Sequence, residues 1–355
     1  MTGRAALSPA AAANRIGRMP ASASRASVTV RPSGHRFTVQ GRESLLEAGL
    51  RAGLNLNYGC GDGSCGLCKA RVVAGTTLPL RDPSDAPLSR VEREQGYELL
   101  CTCTAAGGEL AIAALEAEGP HDLPRQEIAC FVRAVSPLAA DTLFLHLALP
   151  SHRRLRFLAG QCVTLALADG ERDAATSYPV ASCPCDDRNL YFYIARDARD
   201  AFAEQLFAGG LRVGDRVCVR GPQGDFVLGD GRGQLVFVAC DIGIAPVRSL
   251  IEHAVAIDDA ESLSLYWLAT RPAGHFIARQ CRAWDEALDH FDFSLHRDTD
   301  FRAGALQVVD AIRVDRFPMQ CDVYLAGPQA FVTTAACALR AIGVTTAQLH
   351  ATAIG

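Results

Sequence analysis

Three cysteines within nine residues, Cys60-Gly-Asp-Gly-Ser-Cys65-Gly-Leu-Cys68, restrict this chain more than any other stretch. Thiolates that must converge so tightly force the backbone to curl around what they hold. Gly61, Gly63 and Gly66 allow the positive φ and close approach that such a curl needs, and they let amide N–H groups face the sulfurs. Zinc sites usually pair two C-x2-4-C knuckles or add histidines, and neither pattern is present here. The C-x4-C-x2-C spacing is that of plant-type [2Fe–2S] sites. A fourth thiolate must come from a distant strand, and Glu98-Leu-Leu-Cys101-Thr-Cys103 offers two candidates, Cys101 and Cys103. The remaining cysteines of the fourteen are scattered and read as small buried apolar side chains.

A length of 355 residues implies two or three domains, because single cores rarely grow beyond roughly 250–300 residues. A formal net charge of −4 provides no basic field for nucleic acid. No apolar run approaches the roughly 18 residues of a membrane span, and no signal peptide is recognised, so a soluble cytoplasmic protein is expected. Residues 1–26, rich in Ala, Ser and Arg, read as a disordered tail.

The pattern then changes along the chain. Residues 27–116 hold short strands (Val28 and Val30, then Phe37–Val39), a helix over Ser44–Ala52 and the cysteine loop. Residues 117–126, polar and proline-rich, read as a linker. Over 127–229, short apolar runs such as Thr142–Leu149, Val163–Leu167 and Leu190–Ile194 alternate with turn signals, as in an antiparallel barrel. Over 230–355, strands alternate with helices: Leu235–Ala239, a helical face of Val247, Leu250, Ile251 and Ala254, then Leu263–Trp267 and Val323–Ala326. That alternation implies a parallel, nucleotide-binding type of sheet.

From about Ala26 onward the sequence resembles the ferredoxin–flavin reductases that feed bacterial oxygenases, within the ferredoxin–NADP reductase superfamily. The matching motifs are the cysteine loop, Phe157-Leu-Ala-Gly-Gln161 and Gly221-Pro-Gln-Gly-Asp-Phe226. The resemblance implies an α+β, β-grasp-like [2Fe–2S] domain, an antiparallel FAD barrel and an α/β NAD(P)H domain, in that order. It favours Cys101 as fourth ligand, because Leu99-Leu100 matches the family's approach to that cysteine. The family's R-x-Y-S flavin signature reads Thr176-Ser-Tyr-Pro179 here, so the flavin contacts implied are Ser177, Tyr178, Pro179, Val180 and Phe202. The phosphate-binding arginine is replaced by Thr176 and the serine of the next phosphate loop by Ala203, with Arg196 or Arg199 expected to supply the missing charge.

In the nucleotide domain the pyrophosphate loop reads Cys240-Asp-Ile-Gly243-Ile-Ala-Pro246 and the family's C-G-P reads Ala326-Gly-Pro328. Gly243, Pro246, Thr270, Arg271, Gly327 and Pro328 are the contacts implied there. Asp241 opposes a pyrophosphate unless it points away or accepts from the sugar.

The function implied is electron transfer from NAD(P)H through FAD and a [2Fe–2S] cluster to a separate acceptor, such as an oxygenase or a sugar-deoxygenating enzyme. No catalytic side chain is assigned. The changed cofactor contacts motivate an alternative: a non-enzymatic iron–sulfur carrier or accessory subunit whose flavin and nucleotide half is degenerate.

Overall fold

A computed structural model describes residues 25–82, 84, 86–117, 119–150, 153–167, 176–186, 188–229, 233–258, 260–315 and 320–354. Of the expected tail, residues 1–24 lie outside these, and Ala26 already opens the first strand. The N-terminal module contains β1 (Ala26–Arg31), β2 (Arg36–Val39), α1 (Leu45–Arg51), β3 (Lys69–Ala74), β4 (Thr77–Pro79), α2 (Arg90–Glu94), β5 (Tyr97–Leu99), β6 (Cys103–Ala105) and β7 (Gly108–Ala113). Its main sheet runs β2-β1-β7-β3-β5, with β1 and β7 parallel and the other pairs antiparallel. The helix starts where expected because Ser44 and Glu47 form a capping box: Ser44 Oγ accepts from the Glu47 N–H at 3.1 Å and the Glu47 carboxylate from the Ser44 N–H at 2.9 Å. It buries Leu45, Leu46 and Ala48 against the sheet, the β-grasp-like arrangement.

A six-stranded antiparallel sheet follows, built from β8 (Gln126–Ala139), β9 (Thr142–Ala148), β10 (Cys162–Leu167), β11 (Thr176–Pro179), β12 (Asn189–Ala195) and β13 (Arg216–Gln223), with α3 (Ala201–Phe207) beside it. The order β11-β10-β13-β8-β9-β12 encloses a core of Ile128, Leu145, Val163, Phe192 and Val219. Two separated motifs meet here: buried Gln161 donates to the Gly224 carbonyl at 3.0 Å.

The last module is a parallel sheet with the order β16-β15-β14-β17-β18. Its elements are β14 (Gln234–Cys240), α4 (Ile244–Ile257), β15 (Ser262–Ala269), α5 (Ala278–Ala287), β16 (Phe291–Arg297), α6 (Phe301–Asp315), β17 (Cys321–Gly327), α7 (Gln329–Ala341) and β18 (Leu349–Ala353). The strand order reverses between β14 and β17, the place where doubly wound sheets open a ligand crevice. Those two strands end at Cys240 and Gly327, and the turn Asp241–Gly243 follows the first.

The modules are tied by buried polar contacts. The Arg154 N–H donates to the Gly59 carbonyl at 2.6 Å, and Arg156 Nη1 donates to Asn57 Oδ1 at 2.6 Å, so the barrel holds both residues just before the cysteine loop. On the other side Arg248 of α4 binds the Tyr193 hydroxyl and Glu252 and lies over the Tyr191 ring. The expected linker is docked rather than loose: the Ala117 N–H donates to the Asn55 carbonyl at 3.0 Å and Leu123 is buried.

Candidate iron–sulfur centre and nucleotide sites

The cysteine loop adopts the curl its glycines permit, with φ of +76°, +92° and +72° at Gly61, Gly63 and Gly66. Two sulfurs of the loop accept from its backbone: the Cys65 N–H donates to Cys60 Sγ at 3.4 Å, and the Leu67 N–H to Cys65 Sγ at 3.5 Å. The other two come together across the fold, Cys68 Sγ and Cys101 Sγ lying 3.2 Å apart. This pairing is fixed by β5, because the Leu100 N–H donates to the Cys68 carbonyl at 3.0 Å. Cys103 is turned elsewhere: its thiol donates to the Leu99 carbonyl, and burial followed by the nearby Glu98 charge pushes it well above the usual thiol range. Cys60, Cys65, Cys68 and Cys101 together offer four thiolates, the number a [2Fe–2S] cluster takes. Cys60, Cys68 and Cys101 are buried while Cys65 is exposed. It borders a groove of about 760 Å³ between the first module and the barrel, lined in part by Leu67, Leu115, Arg153 and Arg154.

At the expected flavin site, Thr176 Oγ1 donates to Asp200 at 3.0 Å and the Tyr178 hydroxyl donates to the same carboxylate. Asp200 also caps α3, accepting from the Phe202 and Ala203 N–H groups at 3.1 Å each. Burial, then the Asp200 charge, pushes the Tyr178 phenol up. Four donors therefore form a cradle for an anion, and a carboxylate of the chain itself holds it. A flavin phosphate fits there only where Asp200 yields those donors. Thr176 and Ala203 mark the absent arginine and serine in the sequence, whereas the only sequence signal for Asp200 is an aspartate directly before a helix. The arginines expected to compensate have partners of their own, Arg196 with Glu204 at 3.6 Å and over the Phe207 ring, Arg199 with Asp197 at 2.8 Å. Ser177 accepts from Gln223, Pro179 pairs with Cys162 on β10, and Val180 is fully buried in the barrel core. Phe202 packs on Tyr178 with ring centroids 5.6 Å apart.

In the nucleotide crevice Gly243 is required by contact: a Cβ there would lie 2.2 Å from the Ala326 carbonyl oxygen. This brings the ends of β14 and β17 together and places Gly327 and Pro328 beside the turn into α4. Pro246 stands in the first turn of α4, where a missing N–H costs nothing. Asp241, at φ +50° and buried, does not face the crevice as a free charge. It accepts from the Thr270 N–H at 2.7 Å, Thr270 Oγ1 at 2.6 Å and the Arg271 N–H at 3.1 Å. Both residues expected at the adenosine half thus also anchor the β14 turn.

An iron–sulfur module, an antiparallel barrel and a parallel nucleotide sheet in series define an electron-transfer reductase of the flavoprotein type. The family described as 2Fe-2S iron-sulfur cluster binding domain matches residues 28–106. The chain is 30% identical to the reductase component DmpP of phenol 2-monooxygenase from Pseudomonas sp. (strain CF600), over 75% of this chain and 74% of that one. It is 27% identical to CDP-6-deoxy-L-threo-D-glycero-4-hexulose-3-dehydrase reductase of Yersinia pestis, over 70% and 72% of the two chains. Among solved structures, the Amycolatopsis cytochrome P450 reductase GcoB shares the fold, with a TM-score of 0.57, 24% identity and coverage of 92% of this chain and 98% of that one. The chain belongs to the ferredoxin-containing reductase components of oxygenases. It is an oxidoreductase of the NAD(P)H, FAD and [2Fe–2S] type. No helix among the described residues is long and apolar enough to cross a membrane.

Proposed function

We propose that Cys60 and Cys65 hold one iron of the cluster and Cys68 and Cys101 the other. The 3.2 Å approach of Cys68 Sγ to Cys101 Sγ carries this assignment, with the Cys65 N–H on Cys60 Sγ beside it. When bound, a [2Fe–2S] cluster supplies one-electron chemistry. The chain's part is positional. Arg154 and Arg156 press the barrel against the residues before Cys60, which shortens the path between the two halves, and exposed Cys65 leaves one edge of the centre open to a partner. That partner is the hydroxylase part of an oxygenase or a sugar-deoxygenating enzyme, and the setting is the cytoplasm. The modules are 27–116, 127–229 and 230–355, with 117–126 as their docked connection. Gly243, Pro246, Gly327 and Pro328 shape the nucleotide crevice, and Ser177, Tyr178 and Pro179 line the flavin edge of the barrel. The visible spectra of Cys101→Ser and Cys103→Ser test the assignment. Loss of the cluster bands in the first and their retention in the second is expected; the reverse pattern would overturn it.

A second reading, an iron–sulfur carrier without a working flavin half, is favoured by one observation: Asp200 occupies the donors a flavin phosphate needs. The flavin content of the purified protein separates the two, a full complement favouring the reductase and none the carrier.

A further inference from the structure

A group of soft donors lies away from the cysteine loop. Cys183 and Cys185 stand in the Cys183-Pro-Cys185 turn after β11, and His253 reaches them from α4 across the seam between barrel and nucleotide sheet. The structure joins the two Sγ atoms as a Cys183–Cys185 disulfide. His253 Nδ1 lies 3.6 Å from Cys185 Sγ and 4.0 Å from Cys183 Sγ, and all three atoms fall within 4.8 Å of one another. Around a tetrahedral zinc, with Zn–S near 2.3 Å and Zn–N near 2.1 Å, nitrogen and sulfur sit about 3.6 Å apart. The histidine is therefore at ligand distance from Cys185, and once a cellular thiol has reduced the Cys183–Cys185 bond to two thiols the sulfurs part to about 3.8 Å around the ion.

The surroundings hold this geometry. Ser249, one helical turn before His253 on the same face of α4, donates to the Ser182 carbonyl at 2.7 Å, which fixes the helix against the turn. The Cys185 N–H donates to Cys183 Sγ at 3.2 Å, the backbone support a thiolate uses. A cavity of about 30 Å³, bordered by Cys185, His253, Gly53 and Arg156, adjoins the group and has room for one water as a fourth ligand. Two cysteines one residue apart can instead close a disulfide. So short a loop removes little chain entropy on closing, and a bridge has no use for a third donor.

We propose that Cys183, Cys185 and His253 bind one zinc ion, which clasps the barrel to the nucleotide module. Both thiols release their protons on binding, and the two thiolates balance the charge of the ion.

The test uses the full chain with its cluster, dialysed without added metal, and reads zinc and iron per chain by mass spectrometry. About one zinc per chain is expected. Cys185→Ser and His253→Gln should each lower zinc at least severalfold while iron is retained. Zinc that disappears in Cys60→Ser but persists in Cys185→Ser belongs to the cluster loop and overturns the proposal. Should the variants fail to fold, cobalt added to the thiol-reduced, chelator-treated holoprotein replaces them as probe. A difference spectrum with sulfur-to-cobalt charge-transfer and tetrahedral d–d bands supports the site, and its absence overturns it. A Cys183–Cys185 disulfide in protein alkylated at harvest, persisting with zinc present, overturns it as well.

Discussion

At Asp200 one carboxylate accepts from two hydroxyls and two helix N–H groups, so the barrel carries its own anion where a flavin phosphate needs donors. Asp200→Asn keeps a side-chain oxygen for the α3 cap and removes the charge. A charge-assisted contact is worth about 1.5–3 kcal/mol, so FAD affinity should rise about ten- to a hundredfold. Titration of the apoprotein with FAD measures this, and an unchanged or weaker affinity would contradict the reading of Asp200. At Gly243 the expectation runs the other way. Gly243→Ala drives a methyl into the Ala326 carbonyl, and overpacking of this kind costs about 1–3 kcal/mol. A lower thermal midpoint together with weaker NADH binding is the predicted outcome. The sequence showed that Thr176, Ala203 and Asp241 depart from the family's residues. It did not show what Asp200 and Asp241 bind, because Thr176, Tyr178, Thr270 and Arg271 reach them only through the fold.

Among the elements, α4 does two jobs: its N-terminal turn shapes the nucleotide crevice and its outer face holds the barrel. Arg248→Met would leave the Tyr193 hydroxyl and Glu252 without their guanidinium. Loss of such buried charged contacts costs about 2 kcal/mol, enough to lower the melting temperature by several degrees; no change would show that packing alone joins the two modules. The central strands were legible because β14 and β15, covered on both faces, read as near-continuous apolar runs. The edge strands β16 and β18 were not. The polar residues Asp292, Ser294, His296, His350 and Thr352 break up their apolar runs. The ferredoxin-like helix was legible for a different reason, since Ser44 and Glu47 spell its cap in the sequence itself.

For the molecule as a whole, function depends on the iron–sulfur module staying against the barrel. Arg156 is buried, donates to Asn57 and shares Gln126 with the start of β8, the Gln126 amide donating to the Arg156 carbonyl at 2.8 Å. Arg156→Ala should therefore loosen the module and slow electron passage to the cluster, while the absorbance of the cluster itself stays intact. Rapid-mixing spectra with separate flavin and cluster wavelengths would reveal this, and unaltered cluster reduction would show that the contact is dispensable. The order of modules was readable from composition and motifs; their docking was not, since single arginines among thirty-five Lys and Arg residues carry no mark of burial.

The most direct measurement is an anaerobic titration of the holoprotein with NADH, and with NADPH, followed across the visible spectrum. Flavin and cluster should bleach together, taking up about three electron equivalents per chain, two for the flavin and one for the cluster. A cluster that stays oxidised with both nucleotides, yet is reduced by dithionite, would contradict it.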